Sequence, residues 1–281
     1  MKELWNWIVR FIEMLFSGGK LKRIKIGGKV FMPLFFPKSG GGVGSTWAYM
    51  RGDDGWRSYL RSYITLNRNS GETPAICFLM TPDDCNGGLI PNNMPILNEG
   101  QLAAIHARVV ELVREGIAVF PCLYNDDPNG NMPRWWELEK HIGVWQQVHA
   151  KIGDLVTGYI LSIESNEKKN LGGIQHYIQM MRDFLPGVPF YGTHVQWKAR
   201  GSPYYWDGGN VPFNANIILV ETSNDPNQDV SADHVLREYN DIKRANPNLK
   251  FVMHEYNLNV NSQNFNNARA RLRSSGAWGI G

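Results

Sequence analysis

Eight short apolar runs, bounded by turn residues and mostly separated by longer stretches of helical period, constrain this 281-residue chain more than any other feature. They are Val30 to Phe36, Ala75 to Thr81, Ala118 to Tyr124, Gly158 to Glu164, Phe190 to His194, Ile217 to Glu221, Phe251 to Glu255 and Ala277 to Ile280. Short strands alternating with helices join in parallel, and eight such units predict an α/β fold of the (β/α)8 TIM-barrel type. That fold occupies about 250 residues, so residues 1–281 are read as one domain. Active sites of such barrels collect side chains from the C-terminal ends of the strands.

The intervening helices are expected over Gln101 to Glu115, Trp135 to Ile152, Ile174 to Leu185, Ala232 to Ala245 and Phe265 to Ser274. In the first of these Leu102, Ile105, Val109 and Val113 share one face and Gly116 supplies the stop. The fifth connection, Val195 to Ala215, reads as a long loop rich in Gly, Pro and aromatic residues, a length that usually carries function.

Two features precede the barrel. Residues 1–17 predict an amphipathic helix on which Lys2, Asn6, Arg10 and Glu13 form a narrow polar stripe. Arg10 and Glu13 interrupt the apolar run and no small-residue cleavage site follows, so no cleavable signal peptide is expected. The compartment stays open between the cytoplasm and release by another route. Because the chain stops just after strand eight, without a final outer helix, this helix is expected to cover the gap between the first and last strands. Contact with a membrane surface is the alternative. Within residues 21–32, alternating apolar runs flank Gly27-Gly28, which predicts a hairpin.

Composition excludes several classes. The formal charge of +3 without a basic block points to neither nucleic acid nor an anionic membrane. Cys77, Cys85 and Cys122 form no CxxC pair and are read as reduced thiols. Seven dispersed histidines offer no HxH or HExxH, and no Gly-rich turn follows strand seven, so neither a metal nor a phosphate-bearing cofactor is expected.

Carboxylates gather where strands end. Strand four runs into IESNEK, with Glu164, Asn166 and Glu167, and strand seven ends on Glu255. Asp84 follows strand two, Asp127 follows strand three, His194 ends strand five and Glu221 ends strand six. A single such residue is more often a loop cap or ion-pair partner, but the set describes a polar cleft suited to hydroxyl groups. Trp197 and Trp278, which follow or end strands, supply flat rings that can stack on a pyranose face.

The phrase KIGGKVFMP together with the Asn166-Glu167 pair and Glu255 resembles the signatures of retaining glycoside hydrolases of the cellulase- and mannanase-like barrel clan. The resemblance implies a hairpin closing the bottom of the barrel, Glu167 as general acid/base and Glu255 as nucleophile. It also implies Asn166 as a partner of the sugar 2-hydroxyl and Trp278 as the floor of the sugar site. Lys168 stands where the family usually has proline, and Glu164 shares the register of His194, Glu221 and Glu255, so Glu164 remains a rival acid/base. One protonated and one ionised carboxyl are what glycosidic cleavage at neutral pH requires. The expected function is endo-acting hydrolysis of a β-linked polysaccharide or oligosaccharide, with a non-catalytic glycan-binding or structural barrel as the other reading.

Overall fold

In a computed structural model of the chain, the residues described are 21–35, 54–80, 97–124, 138–168, 170–196, 206, 209–211, 214–221, 232–254 and 262–281. Eight parallel strands close on themselves. β1 comes in two pieces, Val30–Phe31 and Leu34–Phe35, and is followed by β2 (Thr73–Leu79), β3 (Ala118–Tyr124), β4 (Gly158–Ser162), β5 (Phe190–Gln196), β6 (Ile217–Glu221), β7 (Lys250–His254) and β8 (Gly279–Ile280). Each strand pairs with its successor, and Val30 lies in register with both Thr73 and Gly279, which closes the barrel. Pro33 divides β1 because it has no N–H for a ladder, yet its carbonyl still accepts from the Cys77 amide at 3.0 Å.

Alternation along the strands sorts the apolar side chains into two layers. Val30, Met32, Ala75, Cys77, Leu79, Phe120, Cys122, Ile160, Ile217, Leu219 and Val252 fill the barrel interior. Phe31, Ile76, Phe78, Val119, Leu161, Tyr191, Ile218, Val220, Phe251 and Met253 pack outward against the helices. Cys77 and Cys122 are free thiols buried in the inner layer. Glycine is needed at 192, where a Cβ would stand 2.1 Å from the Ile217 carbonyl oxygen.

The outer layer contains α1 (Asp54–Asn67), α2 (Glu99–Arg114), α3 (Leu138–Ile152), a single turn α4 (Ser165–Lys168), α5 (Leu171–Phe184), α6 (Ala232–Ala245) and α7 (Ser262–Ser274). α2 starts on a reciprocal cap, with Asn98 Oδ1 accepting from the Gln101 amide at 2.9 Å and Gln101 Oε1 accepting from the Asn98 amide at 3.0 Å. Among the described residues of the fifth connection there is no helix, and buried Trp206 supplies part of the outer packing there. No helix among the described residues is long and apolar enough to cross a membrane.

The hairpin expected over residues 21–32 does not form. Residues 21–29 are irregular, and their hydrogen bonds go elsewhere: the Arg23 amide donates to Asp154 O and the Thr157 hydroxyl donates to Ile24 O, each at 3.0 Å. Ile24 and Ile26 pack against the inner layer, so this segment still covers the bottom of the barrel, as a strap across the loop before β4. Val30 and Phe31 are drawn into the parallel sheet and are unavailable for antiparallel pairing. Residues 1–17 lie outside the described residues.

Candidate active site

Among the described residues, the C-terminal ends of β4, β5 and β6 carry Glu164, Asn166, His194 and Glu221, four of the polar side chains singled out in the sequence. β4 stops at Ser162, two residues short of the span expected for it. Ile160 and Ile163 both belong to the inner layer, so the two-residue alternation breaks between them. Glu164 then adopts a left-handed backbone, with φ of 43°, and its side chain is half-buried.

The turn is held from β5. The Glu164 amide donates to His194 Nδ1 at 2.8 Å, which fixes the tautomer: a neutral ring with Nδ1 accepting carries its proton on Nε2. His194 is fully buried. Ser165 opens α4 and its hydroxyl meets those of Ser162, at 2.6 Å, and Thr193. The side chain of Asn166 is buried and pairs with the main chain of Gln196: Nδ2 donates to Gln196 O and Oδ1 accepts from Gln196 N, both at 2.8 Å.

Those two Gln196 groups point toward the β4 side of the sheet. The β4–β5 register ends at Ile160 with Gly192, so the Asn166 amide extends the ladder where the β4 backbone has turned away. Gln196 closes the series. Its side-chain Nε2 donates to Glu221 Oε1 at 3.3 Å, and Gln196 and Glu221 are register partners at the ends of their strands. Glu221 is in turn the register partner of His254, the last residue of β7.

The strand-four pair is therefore carried on a turn that four hydrogen bonds tie to β5. Asn166, expected to meet the sugar 2-hydroxyl, instead has its fully buried amide bonded at both ends to the β5 main chain, which fixes the backbone that bears Glu167; the side chain of Glu167 lies outside the described residues, as do Glu255, Asp84, Asp127 and Trp197. β7 ends at His254, one residue before Glu255.

Trp278 is a correction. It precedes β8 and its ring packs on Phe190 at 5.4 Å and beside Lys250 Nζ at 5.8 Å, residues that begin β5 and β7. It thus plugs the N-terminal end of the barrel, opposite the carboxylates, and cannot floor the site among them. The reason is a shift of register: β8 starts at Gly279, so Trp278 enters the strand where it was expected to leave it.

Gln196, Ser162, Ser165 and Thr193 were not singled out from sequence. For Gln196 a signal existed, because it stands two residues beyond His194 and shares its parity; extending strand five by one alternation reaches it. The hydroxyl contacts depend on the turn after β4 and have no such period. Among the described residues, no group of three or more His, Cys, Asp or Glu side chains is arranged to hold a metal ion.

No protein-family model matches this chain, and no curated protein matches it in sequence. Solved structures do match. A GH113 β-1,4-mannanase, solved as a complex, superposes with a TM-score of 0.56 at 12% identity, over 92% of this chain and 87% of that one. Pseudomonas stutzeri endoglucanase Cel5A in complex with cellobiose gives a TM-score of 0.50 at 14% identity, over 80% of this chain and 73% of that one. At such identities the likeness is one of architecture: the chain is a (β/α)8 barrel of the kind on which these glycoside hydrolases are built.

Proposed function

We propose that this chain is a retaining glycoside hydrolase, endo-acting on a β-linked polysaccharide or oligosaccharide. The observation that carries the reading is the pairing of two carboxylate-bearing phrases with the C-terminal ends of β4 and β7, on one mouth of the barrel. The β-linked substrates named for the mannanase and the cellobiose-bound endoglucanase support the same class.

In this reading Glu255 attacks the anomeric carbon and forms a glycosyl-enzyme, while the strand-four acid protonates the departing oxygen. The same group, now ionised, takes a proton from the water that releases the sugar. Glu167 is the proposed acid/base, since its neighbour Asn166 is bonded to the main chain of β5 and holds the turn. Glu164, His194, Glu221, Asp84, Asp127 and Trp197 are assigned to the surrounding cleft.

The test is turnover of mannan, cellulose and xylan oligosaccharides, with proton NMR of the first product. Turnover with retained anomeric configuration, its rate falling by at least about 10^4-fold in Glu255→Gln, is the expected outcome. An inverted product overturns the retaining mechanism. Glycan binding without turnover in the wild type overturns the enzyme assignment in favour of a carbohydrate-binding barrel.

A further inference from the structure

Gln196 occupies a position that neither the clan signatures nor strand alternation over the expected span had marked. It is nearly buried, as are the two side chains it joins. Through its main chain it holds Asn166, the residue before Glu167, with two hydrogen bonds of 2.8 Å. Through its side-chain amide it donates to Glu221 Oε1 at 3.3 Å. Glu221 lies beside His254 in the sheet, and His254 precedes Glu255. One residue therefore stands between the element bearing the strand-four carboxylate and the strand next to the one that leads to Glu255.

We propose that Gln196 is a positioning residue that sets the two halves of the catalytic mouth relative to each other, its amide orienting the Glu221 carboxylate toward the bound sugar. This rests on the glycoside hydrolase reading above. An amide is suited to the task because it donates to a carboxylate oxygen without bringing a charge of its own into the cleft. A lysine or arginine in its place would neutralise the cleft. A hydrocarbon would leave a buried carboxylate oxygen without this donor and release its orientation.

The pair is also reversible in principle. Exchanging amide and carboxylate keeps both volumes and one N–H to O bond between them, which makes the hydrogen bond itself testable. The substrates are 2,4-dinitrophenyl β-cellobioside and the corresponding β-mannobioside, and kcat, KM and Tm are measured for each variant.

Gln196→Leu is expected to lower kcat about tenfold or more with KM within about threefold, on protein whose Tm still lies well above the assay temperature. Glu221→Gln alone and Gln196→Glu alone are expected to lose activity similarly. The double exchange, Gln196→Glu with Glu221→Gln, is expected to recover at least part of kcat beyond either single variant. A purely structural role would move Tm and leave kcat per folded molecule unchanged, and that result overturns the proposal. Failure of the double exchange to exceed the single variants also overturns it. Wild-type protein inactive on both glycosides and on the mannan, cellulose and xylan oligosaccharides overturns the hydrolase reading and this inference together, whereas active wild type with kinetically silent Gln196 variants overturns this inference alone.

Discussion

Glu164 is the only described non-glycine residue with a positive φ, and that conformation costs an L-residue about 1–2 kcal/mol. The hydrogen bond from its main-chain N–H to His194 Nδ1 holds it there. Glycine adopts the same backbone without steric cost but loses more entropy on folding, so Glu164→Gly is expected to be neutral or stabilising by up to about 1 kcal/mol. Thermal denaturation checks the sign, and a clear fall in Tm would mean that the side chain contributes more than the strain removes. Activity of the same variant separates the rival acids: retained hydrolysis of an unactivated glycan leaves the role with Glu167, and its loss moves the role to Glu164. Sequence could not decide between them because a two-residue period assumes a continuing strand, whereas alternation fails between Ile160 and Ile163. Trp278 was misread for a related reason, its orientation in the barrel resting on where β8 begins.

Among the elements, the seam between α7 and the start of β2 shows how the last helix is held. Arg273 Nε donates to Glu72 Oε1 at 3.0 Å and Arg273 Nη2 to Asn67 O at 3.0 Å, while Arg269 donates to the same carbonyl at 2.8 Å and lies over the Phe31 ring. Glu72 is almost buried, so losing its guanidinium partner strands a charge. Arg273→Met is expected to destabilise by about 3 kcal/mol, the lower end of the range for breaking a buried pair because Arg273 is partly exposed. Glu72→Gln with Arg273→Met should recover much of that loss, and urea denaturation of the single and double variants measures both. At this scale much was legible: the expected spans of β3, β6 and α6 coincide with those observed. α1 was passed over. Its inward face carries Leu60 and Ile64, but Arg57 and Arg61 break the pattern, and they are matched by Glu111 and Glu115 on α2 and its C-terminal end, partners that no local period reveals.

At the scale of the whole molecule, a half-buried histidine beside the strap introduces a dependence on pH. His149, near the C-terminal end of α3, meets the Tyr159 hydroxyl at 3.0 Å through Nδ1. Burial holds its pKa below the ordinary value of 6.5; a hydrogen bond with the Pro186 main chain opposes this, the Arg23 charge adds to it and Asp154 opposes it. As pH falls through 6.5 the unfolded chain takes up the proton first, and the folded ring follows only at lower pH, so stability is expected to decline across that window. His149→Gln should flatten this part of the stability profile measured by chemical denaturation between about pH 7 and 5. An unchanged slope would assign the decline to other groups.

The closure of the barrel through Val30–Phe31 and Gly279–Ile280 also bears on how the chain reaches this state. The two halves of that ladder are separated by nearly the whole polypeptide, and contacts of such large sequence separation form slowly because loop entropy is lost before they contribute. During synthesis, β1 can find β2 early but has no partner on its other side until Gly279 and Ile280 emerge. Until then it is an open sheet edge, and the nascent barrel is exposed to pairing with other chains.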